Sequence, residues 1–355
     1  MSIVFVSIVV SGAAWMCAYG LVAAIRLWAE RRQMLDIPNE RSSHTRPTPR
    51  GGGLAIVVVT LAGSWLVYPW FGAGISIKAL LAYTLGGALI SAVSWLDDLR
   101  PLSRVVRFAS HSLGALLAIL AIGYWQTLPV PGLGTLTLGW LGLLISFFWI
   151  VGLTNAYNFM DGIDGLAGGQ AVVAGIGWAA LGGLSGQTCV SLIGLLLAAS
   201  GLGFLWHNWP PAHIFMGDVG SAFLGYTFAV LTLIASQTQA RFILVGAALV
   251  WPFIFDTVFT FLRRLIRREK VFSAHRSHLY QRLIVAGLSH RTVTLLYLAL
   301  AGLGGILALA VVQVWPFADM IILIVLVCVG IILWGGVRWY EHHPLSVSSR
   351  PLSKL

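Results

Sequence analysis

Long runs of apolar residues recur along the whole 355-residue chain, and they constrain its fold more than any other feature. Most of these runs reach about 18 residues with almost no charge, which is long enough for a helix to cross about 30 Å of hydrocarbon. Hydrophobic residues make up 58% of the chain, and charged residues make up only 10%. A water-soluble globule cannot bury so much apolar surface, so the sequence predicts a polytopic membrane protein.

Eleven of these runs are candidate spans. They lie near residues 2-25, 52-71, 79-96, 105-123, 136-154, 166-184, 187-206, 219-237, 242-262, 292-313 and 317-337. The first run lacks a positively charged leader and a cleavage site, so we expect it to be retained rather than removed as a signal peptide. The prediction is an all-α integral membrane protein, a polytopic bundle of about 11 transmembrane helices that forms a single domain over residues 1-355.

The distribution of positive charge predicts the orientation of this bundle. Of the 22 Lys and Arg residues, all but Lys78 and Arg241 fall on one side. Positively charged segments stay in the cytoplasm during insertion, so we expect an outside N-terminus and a bacterial inner-membrane location. The predicted cytoplasmic parts are the loops 26-51, 97-105, 155-166, 207-218 and 263-291 and the tail 338-355. Topology alone explains the net charge of +10, so the lipid bilayer is a predicted partner and nucleic acid is not.

Five aspartates at the ends of spans also fall on the predicted cytoplasmic side. They are Asp97, Asp98, Asp161, Asp164 and Asp218. Carboxylates close to hydrocarbon are costly, so their gathering needs a reason. Together with the basic loops, they indicate a metal held by carboxylates and surrounded by cations that receive phosphate.

The adjacent carboxylates of Asp97 and Asp98 repel each other and need a positive charge nearby. One interpretation is an ordinary ion pair with one of the arginines that follow, Arg100, Arg104 or Arg107. In the other, one carboxylate orients or deprotonates an acceptor and its neighbour holds a metal or the water bound to it.

The segment NAYNFMDGIDGLAGG, residues 155-169, places amides and carboxylates where one span gives way to the next. Asn155, Asn158 and Asp161 recur at three-residue spacing and would share one face if the helix continues. Asn, Asp and Gly are also ordinary turn formers, but two DG pairs together with two amides favour a functional site.

Two further loops are suited to binding anions. Asp218 lies near the start of a helix, where an acid complements the helix dipole but free backbone N–H groups can also bind phosphate. Phe215, three residues earlier, offers a flat face for a base. Arg50 ends a basic loop that leads into three consecutive glycines, which allow the backbone to approach an anion closely.

The segment 263-283 carries His275, Arg276 and His278. The two histidines could ligate zinc, but no cysteine or third histidine stands at a suitable spacing, so phosphate binding is favoured. Asp256 is the one acid well inside a span, and we expect it to pair with Arg263 or Arg264 or with another helix.

These motifs resemble those of the polyprenyl-phosphate N-acetylhexosamine-1-phosphate transferase superfamily, glycosyltransferase family 4. The resemblance rests on RSSHTRPTPRGGG, the Asp97-Asp98 pair, NAYNFMDGIDG, FMGDVGS and HRSHLYQR, in the family's order over residues 36 to 283. It implies transfer of a sugar-1-phosphate from a UDP-N-acetylhexosamine to undecaprenyl phosphate, with release of UMP. It also implies a requirement for Mg2+, with Mn2+ possible in its place. HRSHLYQR is similar to the O-antigen-initiating branch and departs from the three-histidine run of the peptidoglycan branch.

The resemblance also implies roles for individual residues. The metal ligands would be Asp218 and Asn158, and the catalytic residues would be Asp97, Asp98 and Asp161. The substrate-binding residues would be Asn155, Asp164, Asn208, Phe215, His275, Arg276, His278 and Arg50. Of these, Asp164, Asn208 and Phe215 correspond to uridine-binding positions, and the histidine loop corresponds to the one that holds the pyrophosphate.

Two other classes of protein fit a many-span bundle. A transporter of an anionic solute would place ionisable residues near the midplane and often show internal repeats, whereas here only Asp256 lies well inside a span and no repeat is evident. A non-catalytic scaffold gives no reason for five acids on one side. The small residues Gly302, Gly304 and Gly305 would allow close helix packing within a protomer or in a homodimer.

Overall fold

The computed structural model describes residues 3–38, 46–70, 75–270 and 275–343, and these parts of the chain are almost entirely helical. The helices are α1 (Ile3–Arg31), α2 (Gly53–Val67), α3 (Ile77–Leu99), α4 (Arg104–Ile122), α5 (Leu141–Phe159), α6 (Leu166–Leu184), α7 (Thr188–Asn208), α8 (Asp218–Thr238), α9 (Phe242–Leu249), α10 (Trp251–Ile266), α11 (Leu279–Val285), α12 (His290–Val312) and α13 (Ala318–His342). A 3-10 turn, Tyr68–Trp70, follows α2. The predicted all-α class is confirmed.

The only strands within the described ranges form two short antiparallel pairs. The first pair joins β1 (Leu35–Asp36) to β2 (Thr48–Pro49), and the second joins β3 (Thr127–Val130) to β4 (Gly134–Thr137). The first pair matters for the site, because β2 leads directly into α2.

The number of spans agrees with the sequence prediction. Ten helices of the described segments are each long and apolar enough to cross a membrane, and α9 and α10 together form one further, broken candidate. The predicted span at 242-262 is this bent pair, whose two halves meet at 78°. Pro252, in the first turn of α10, has no backbone N–H to donate back into α9, which explains why the helix breaks there.

Helix α8 is the centre of the bundle. Its residues from Val219 to Ala235 are all buried, and it packs against helices that include α2, α3, α5 and α9. Gly53 and Gly220 lie face to face, so a Cβ atom on either one would collide with the backbone of the other. The backbones of α2 and α8 are therefore in direct contact where these two helices begin. This contact lies at the end of the bundle that carries most Lys and Arg, which is called the basic end below.

The glycines of α12 serve packing within the chain. A Cβ atom on Gly304 would strike the Ala248 carbonyl and the Trp251 ring, so α12 lies tightly against α9 and α10. The Trp251 Nε1 group donates a hydrogen bond of 2.8 Å to the Leu300 carbonyl at the same contact. Of the two alternatives for Gly304, helix packing within a protomer or in a homodimer, the structure shows packing within the protomer.

Candidate active site

Two backbone segments at the basic end hold the starts of α2 and α8 together. The Phe215 N–H donates to the Pro49 carbonyl at 2.8 Å, and the Gly52 N–H donates to the Phe215 carbonyl at 3.0 Å. Arg50 and Phe215 are thereby paired as neighbours, and both are half-buried. These two predicted substrate-binding residues, which are far apart in sequence, lie side by side.

Asp98, at the end of α3, supports the first turn of α8. Its Oδ1 accepts the Asp218 N–H and its Oδ2 accepts the Val219 N–H, each at 3.1 Å. The side chain of Arg50 donates to the Asp98 backbone carbonyl. Asp98 is only 4% exposed, so its carboxylate satisfies helix-start donors that water cannot reach.

Gly217 makes this contact possible. Its φ of +78° lies in the left-handed region, and an added Cβ would lie 2.6 Å from the Asp98 Oδ2. A side chain here would therefore be strained by the backbone and would displace the carboxylate.

Asp97 and Asp218 share one arginine. The Arg107 Nη1 lies 3.0 Å from the Asp97 Oδ2 and 3.8 Å from the Asp218 Oδ2. Asp97 also accepts the Leu102 N–H at 2.5 Å. The Asp97 and Asp218 carboxyl groups are close enough to interact directly. The ion-pair interpretation of the aspartate pair is thus correct for Asp97, whose partner is Arg107. The Asp218 carboxylate lies near the same guanidinium.

The end of α5 contributes its amides to the same place. The Asn158 Nδ2 donates to the Ser221 hydroxyl in α8 at 3.0 Å, and the Asn158 side chain also interacts with Asp218. Asn155, one turn earlier, donates to the Val151 carbonyl at 2.7 Å. The predicted metal ligands Asn158 and Asp218 therefore lie side by side. Asn155 lies one turn deeper in the bundle.

Asp161 belongs to the same electrostatic neighbourhood. It follows the end of α5 and is half-buried. Burial, and then the negative charges of Asp218, Asp98 and Asp164, raise the pKa of the Asp161 carboxyl well above its usual range. The acids that the sequence placed on one side of the membrane are therefore gathered within one site.

Asp164 and Asn208 join the two loops that border the site. The Asp164 Oδ2 accepts the Ala212 N–H at 3.1 Å. Asn208, only 5% exposed, accepts the Gly165 N–H at 2.9 Å and donates to the Ile214 carbonyl at 2.8 Å. Both ends of this amide are engaged with backbone, so Asn208 fixes the loop that leads to Phe215.

The histidine loop is held by Asp256, which is fully buried. Its carboxylate accepts the His278 Nδ1–H at 3.1 Å, the Leu279 N–H at 2.8 Å, the Tyr280 N–H at 3.0 Å and the Tyr297 hydroxyl at 2.6 Å. Because a carboxylate can only accept, the Nδ1 of His278 carries a hydrogen, which fixes the orientation of the ring.

The expected ion pair between Asp256 and a nearby arginine is wrong, and the alternative, a partner on another helix, is correct. Arg264 instead pairs with Glu269 at 2.9 Å, and the Arg263 Nη2 donates to the Ser277 carbonyl at 3.2 Å. The spacing of Asp256 and the arginines along α10 suggested an ion pair, but it could not show that the histidine loop donates hydrogen bonds to Asp256.

His275 and Arg276 complete this loop. The His275 Nδ1 lies 2.8 Å from the Ser277 hydroxyl, and its ring centroid lies 5.1 Å from that of His278. Burial, and then the neighbouring His278, lower the pKa of His275 to about 4. Arg276 is half-buried beside it. The Tyr280 hydroxyl donates to the Phe159 carbonyl at 3.1 Å, which ties the loop to the end of α5 next to Asp161.

Sequence reasoning missed two histidines that border the site. His111 is buried in α4, one turn beyond Arg107, and its ring interacts with Asn155. The Nδ1 of His290 lies 3.4 Å from the Asp164 Oδ1. The i, i+4 spacing from Arg107 could have revealed His111, but only the fold brings His290 to Asp164.

The donor set fits a hard divalent cation. No group of three His, Cys, Asp or Glu residues in the described segments is arranged as a ready-made metal site. Mg2+ needs no such cage, because it keeps several waters and is bound by one or two carboxylates together with substrate phosphates. Asp97 and Asp218 offer two interacting carboxylates, and the Asn158 amide lies beside them. One arginine shared by two carboxylates leaves negative charge for a cation to neutralise.

A bundle of membrane spans with carboxylates, arginines and histidines gathered at one end is typical of a membrane-embedded enzyme that acts on phosphate-bearing substrates. A family model described as Glycosyl transferase family 4 matches residues 80–236. The chain is 37% identical over 271 residues to the probable undecaprenyl-phosphate N-acetylglucosaminyl 1-phosphate transferase of Bacillus subtilis (strain 168), covering 74% of each chain.

Two more relatives extend the comparison. The decaprenyl-phosphate N-acetylglucosaminephosphotransferase of Mycobacterium leprae (strain TN) is 32% identical over 317 residues, covering 79% of this chain and 76% of its own. A phospho-N-acetylmuramoyl-pentapeptide-transferase of Synechococcus sp. (strain JA-2-3B'a(2-13)) is 34% identical over 242 residues, covering 65% of this chain and 68% of its own. The chain belongs to the polyprenyl-phosphate sugar-1-phosphate transferase superfamily, and it is a multi-pass membrane transferase.

Proposed function

We propose that this protein transfers N-acetylhexosamine-1-phosphate from a UDP-N-acetylhexosamine to undecaprenyl phosphate. The products are UMP and a lipid-linked sugar that begins O-antigen or a related cell-envelope polysaccharide. The active site would face the cytoplasm, where nucleotide sugars are made. The observation that best supports this proposal is the interacting Asp97 and Asp218 carboxylates with Arg107 at the start of the buried helix α8.

Mg2+, or Mn2+ in its place, would be held by Asp218 and Asn158 with Asp97 beside them. When bound, the ion would neutralise charge on the pyrophosphate and stabilise the departing UMP. Asp98 positions Asp218, because its two oxygens hold the first turn of the helix that carries Asp218.

The acceptor is largely dianionic at neutral pH, because a phosphate monoester has a second pKa near roughly 6. It therefore needs little help from a base, and the main obstacle is its repulsion by the pyrophosphate. The positive charges of Arg50, Arg107 and Arg276 would relieve that repulsion, and His275 and His278 would lie against the phosphates beside them. An acceptor oxygen attacks the phosphorus that bears the sugar, and the bond from that phosphorus to the bridging oxygen breaks. UMP leaves with that oxygen, while the anomeric C–O bond stays intact.

The nucleotide would lie against the loop between α7 and α8. Phe215 would stack on uracil, and Asp164 and Asn208 would hold the loop in place through their backbone contacts. Phe215 would thus contact the base, whereas Asp164 and Asn208 would fix the position of the loop that carries Phe215.

Purified protein should be assayed with undecaprenyl phosphate, Mg2+ and a panel of UDP-N-acetylhexosamines, with UMP and lipid products measured by mass spectrometry. We expect one UMP per lipid-linked sugar-1-phosphate and no turnover after chelation. Release of UDP instead of UMP would contradict the proposal, because it would mean that the sugar moves without its phosphate. No turnover with any member of the panel would contradict the proposed donor class.

A further inference from the structure

A cavity at the basic end lies between α10, α11 and α13 and has a volume of about 290 Å3. Two stripes of side chains at helical spacing line it. Phe259 and Arg263 of α10 and Arg267, which caps that helix, follow one another every four residues, and Trp334 and Arg338 do the same on α13. Of these residues only Arg263 touches the active site described above, through its hydrogen bond to the Ser277 carbonyl of the histidine loop.

The two stripes share the same order, with an aromatic ring at the bottom and arginines above it. The Phe259 and Trp334 ring centroids are 5.8 Å apart, and the Arg338 guanidinium lies 5.8 Å from the Trp334 centroid. The cavity therefore has an apolar floor and a cationic mouth, as a molecule with an apolar body and an anionic head would require.

The charges at the mouth are unbalanced. Arg282 of α11 joins the arginines of both stripes, and Glu341 is the one carboxylate among the lining residues. Arg282 and Glu341 form two hydrogen bonds of 2.6 Å.

Topology alone explains part of this pattern. The positive-inside rule and the C-terminal ends of α10 and α13 both favour cations on this face. Neither of them explains why four arginines and a single carboxylate line one cavity beside two aromatic rings. A phosphate oxygen is an acceptor of the right charge and geometry.

We propose that this cavity binds the phosphate of a phospholipid from the surrounding bilayer. The aromatic floor favours a lipid over free phosphate, since inorganic phosphate has nothing to place against Phe259 and Trp334. Large apolar side chains close in sequence to the lining residues are exposed, among them Ile266 at 81% and Ile332 at 70%, and such side chains would meet the acyl chains. A basic pocket between membrane helices is a recurring way of holding an anionic head group.

The test compares two double variants with the same change in charge. Arg267→Gln/Arg338→Gln removes one arginine from each stripe and leaves Arg263, which contacts the histidine loop, in place. Arg31→Gln/Arg32→Gln is the control, because both residues are exposed at the end of α1, away from the cavity. Phosphatidylglycerol is titrated onto each detergent-solubilised protein, and retained lipid is counted by native mass spectrometry.

We expect one tightly retained phosphatidylglycerol on the unaltered protein, with affinity falling roughly tenfold or more in the cavity variant and within about twofold in the control. Glu341→Gln should raise the affinity, since it removes the competing carboxylate. A misfolded protein would not show such a gain.

Three outcomes would overturn the proposal. Equal losses in the two double variants would mean that the lipid senses net charge alone. Displacement of phosphatidylglycerol by equimolar inorganic phosphate would assign the cavity to the free ion. Displacement by a much smaller amount of undecaprenyl phosphate would make it part of the acceptor site.

Discussion

Asp98→Asn should weaken the fold as well as reduce turnover, because Asp98 holds the start of the central helix. The carboxylate accepts two backbone N–H groups of α8 at 3.1 Å each. An amide has one oxygen, so one of those N–H groups would face an NH2 group and lose its acceptor. A buried hydrogen bond to a charged group contributes about 1.5–3 kcal/mol, and at 4% exposure water cannot replace it. We expect the free energy of unfolding to fall by about that amount.

Asp97→Asn is the matched control, since it makes the same chemical change one residue earlier. The partner of Asp97, Arg107, keeps 37% of its side chain exposed, so the ion pair should contribute no more than about 1 kcal/mol. Unfolding would be followed by circular dichroism as sodium dodecyl sulfate is titrated into mixed micelles. Equal stabilities of the two variants, or no loss in Asp98→Asn, would refute the role assigned to Asp98.

Four further predictions concern the site and its sidedness. Asp218→Asn should abolish Mg2+-dependent turnover while the protein stays folded, because Mg2+ strongly prefers a charged oxygen, and a turnover assay across Mg2+ concentrations checks this. Phe215→Ala should weaken UDP-sugar binding by roughly 1 to 3 kcal/mol in a calorimetric titration, with little effect on lipid affinity. The pKa of His275 is lowered to about 4, so the free protein holds this ring neutral above that pH. The affinity for the UDP-sugar should therefore depend on pH in the same way, from pH 6 to 8, in the unaltered protein and in His275→Gln. After replacement of the native cysteines, Ser103→Cys should be shielded from an impermeant thiol reagent in intact cells, whereas Gln239→Cys should react.

Two controls belong to these experiments. Asp319→Asn removes a carboxylate whose contact is the Gly132 N–H at 3.1 Å, away from the basic end, and should leave the Mg2+ requirement unchanged. Phe148→Ala removes a ring that is 63% exposed on the outside of the bundle and should leave UDP-sugar binding unchanged. Loss of activity in either control would point to general damage. Labelling of Ser103→Cys from outside would place the aspartate pair on the wrong side for a cytoplasmic donor.

The spans could be predicted from sequence because hydropathy depends on residues close together along the chain. Every predicted run corresponds to a helix or, at 242-262, to the broken pair α9 and α10. The 78° bend was not predicted, because hydropathy does not report direction, although Pro252 was a visible signal for it.

The site was predictable only in part. The count of Lys and Arg residues predicted which loops share one side of the membrane, and this placed the aspartates at one end of the bundle. Which helix starts meet there depends on tertiary packing. For this reason the contacts of Arg107 with both Asp97 and Asp218 appeared only in the structure, as did the engagement of Asn208 with backbone.

Two buried aspartates solve the same problem in different parts of the bundle. Asp98 accepts the first two N–H groups of α8, and Asp256 accepts those of α11. The free N–H groups of a helix start are costly in an apolar interior, and one carboxylate from another helix satisfies two of them while complementing the dipole. Each cap places a predicted site residue, Asp218 in one case and His278 in the other. In both places the buried aspartate has a positioning role, whereas Asp218 keeps 36% of its side chain exposed, as the metal-binding role proposed for it requires.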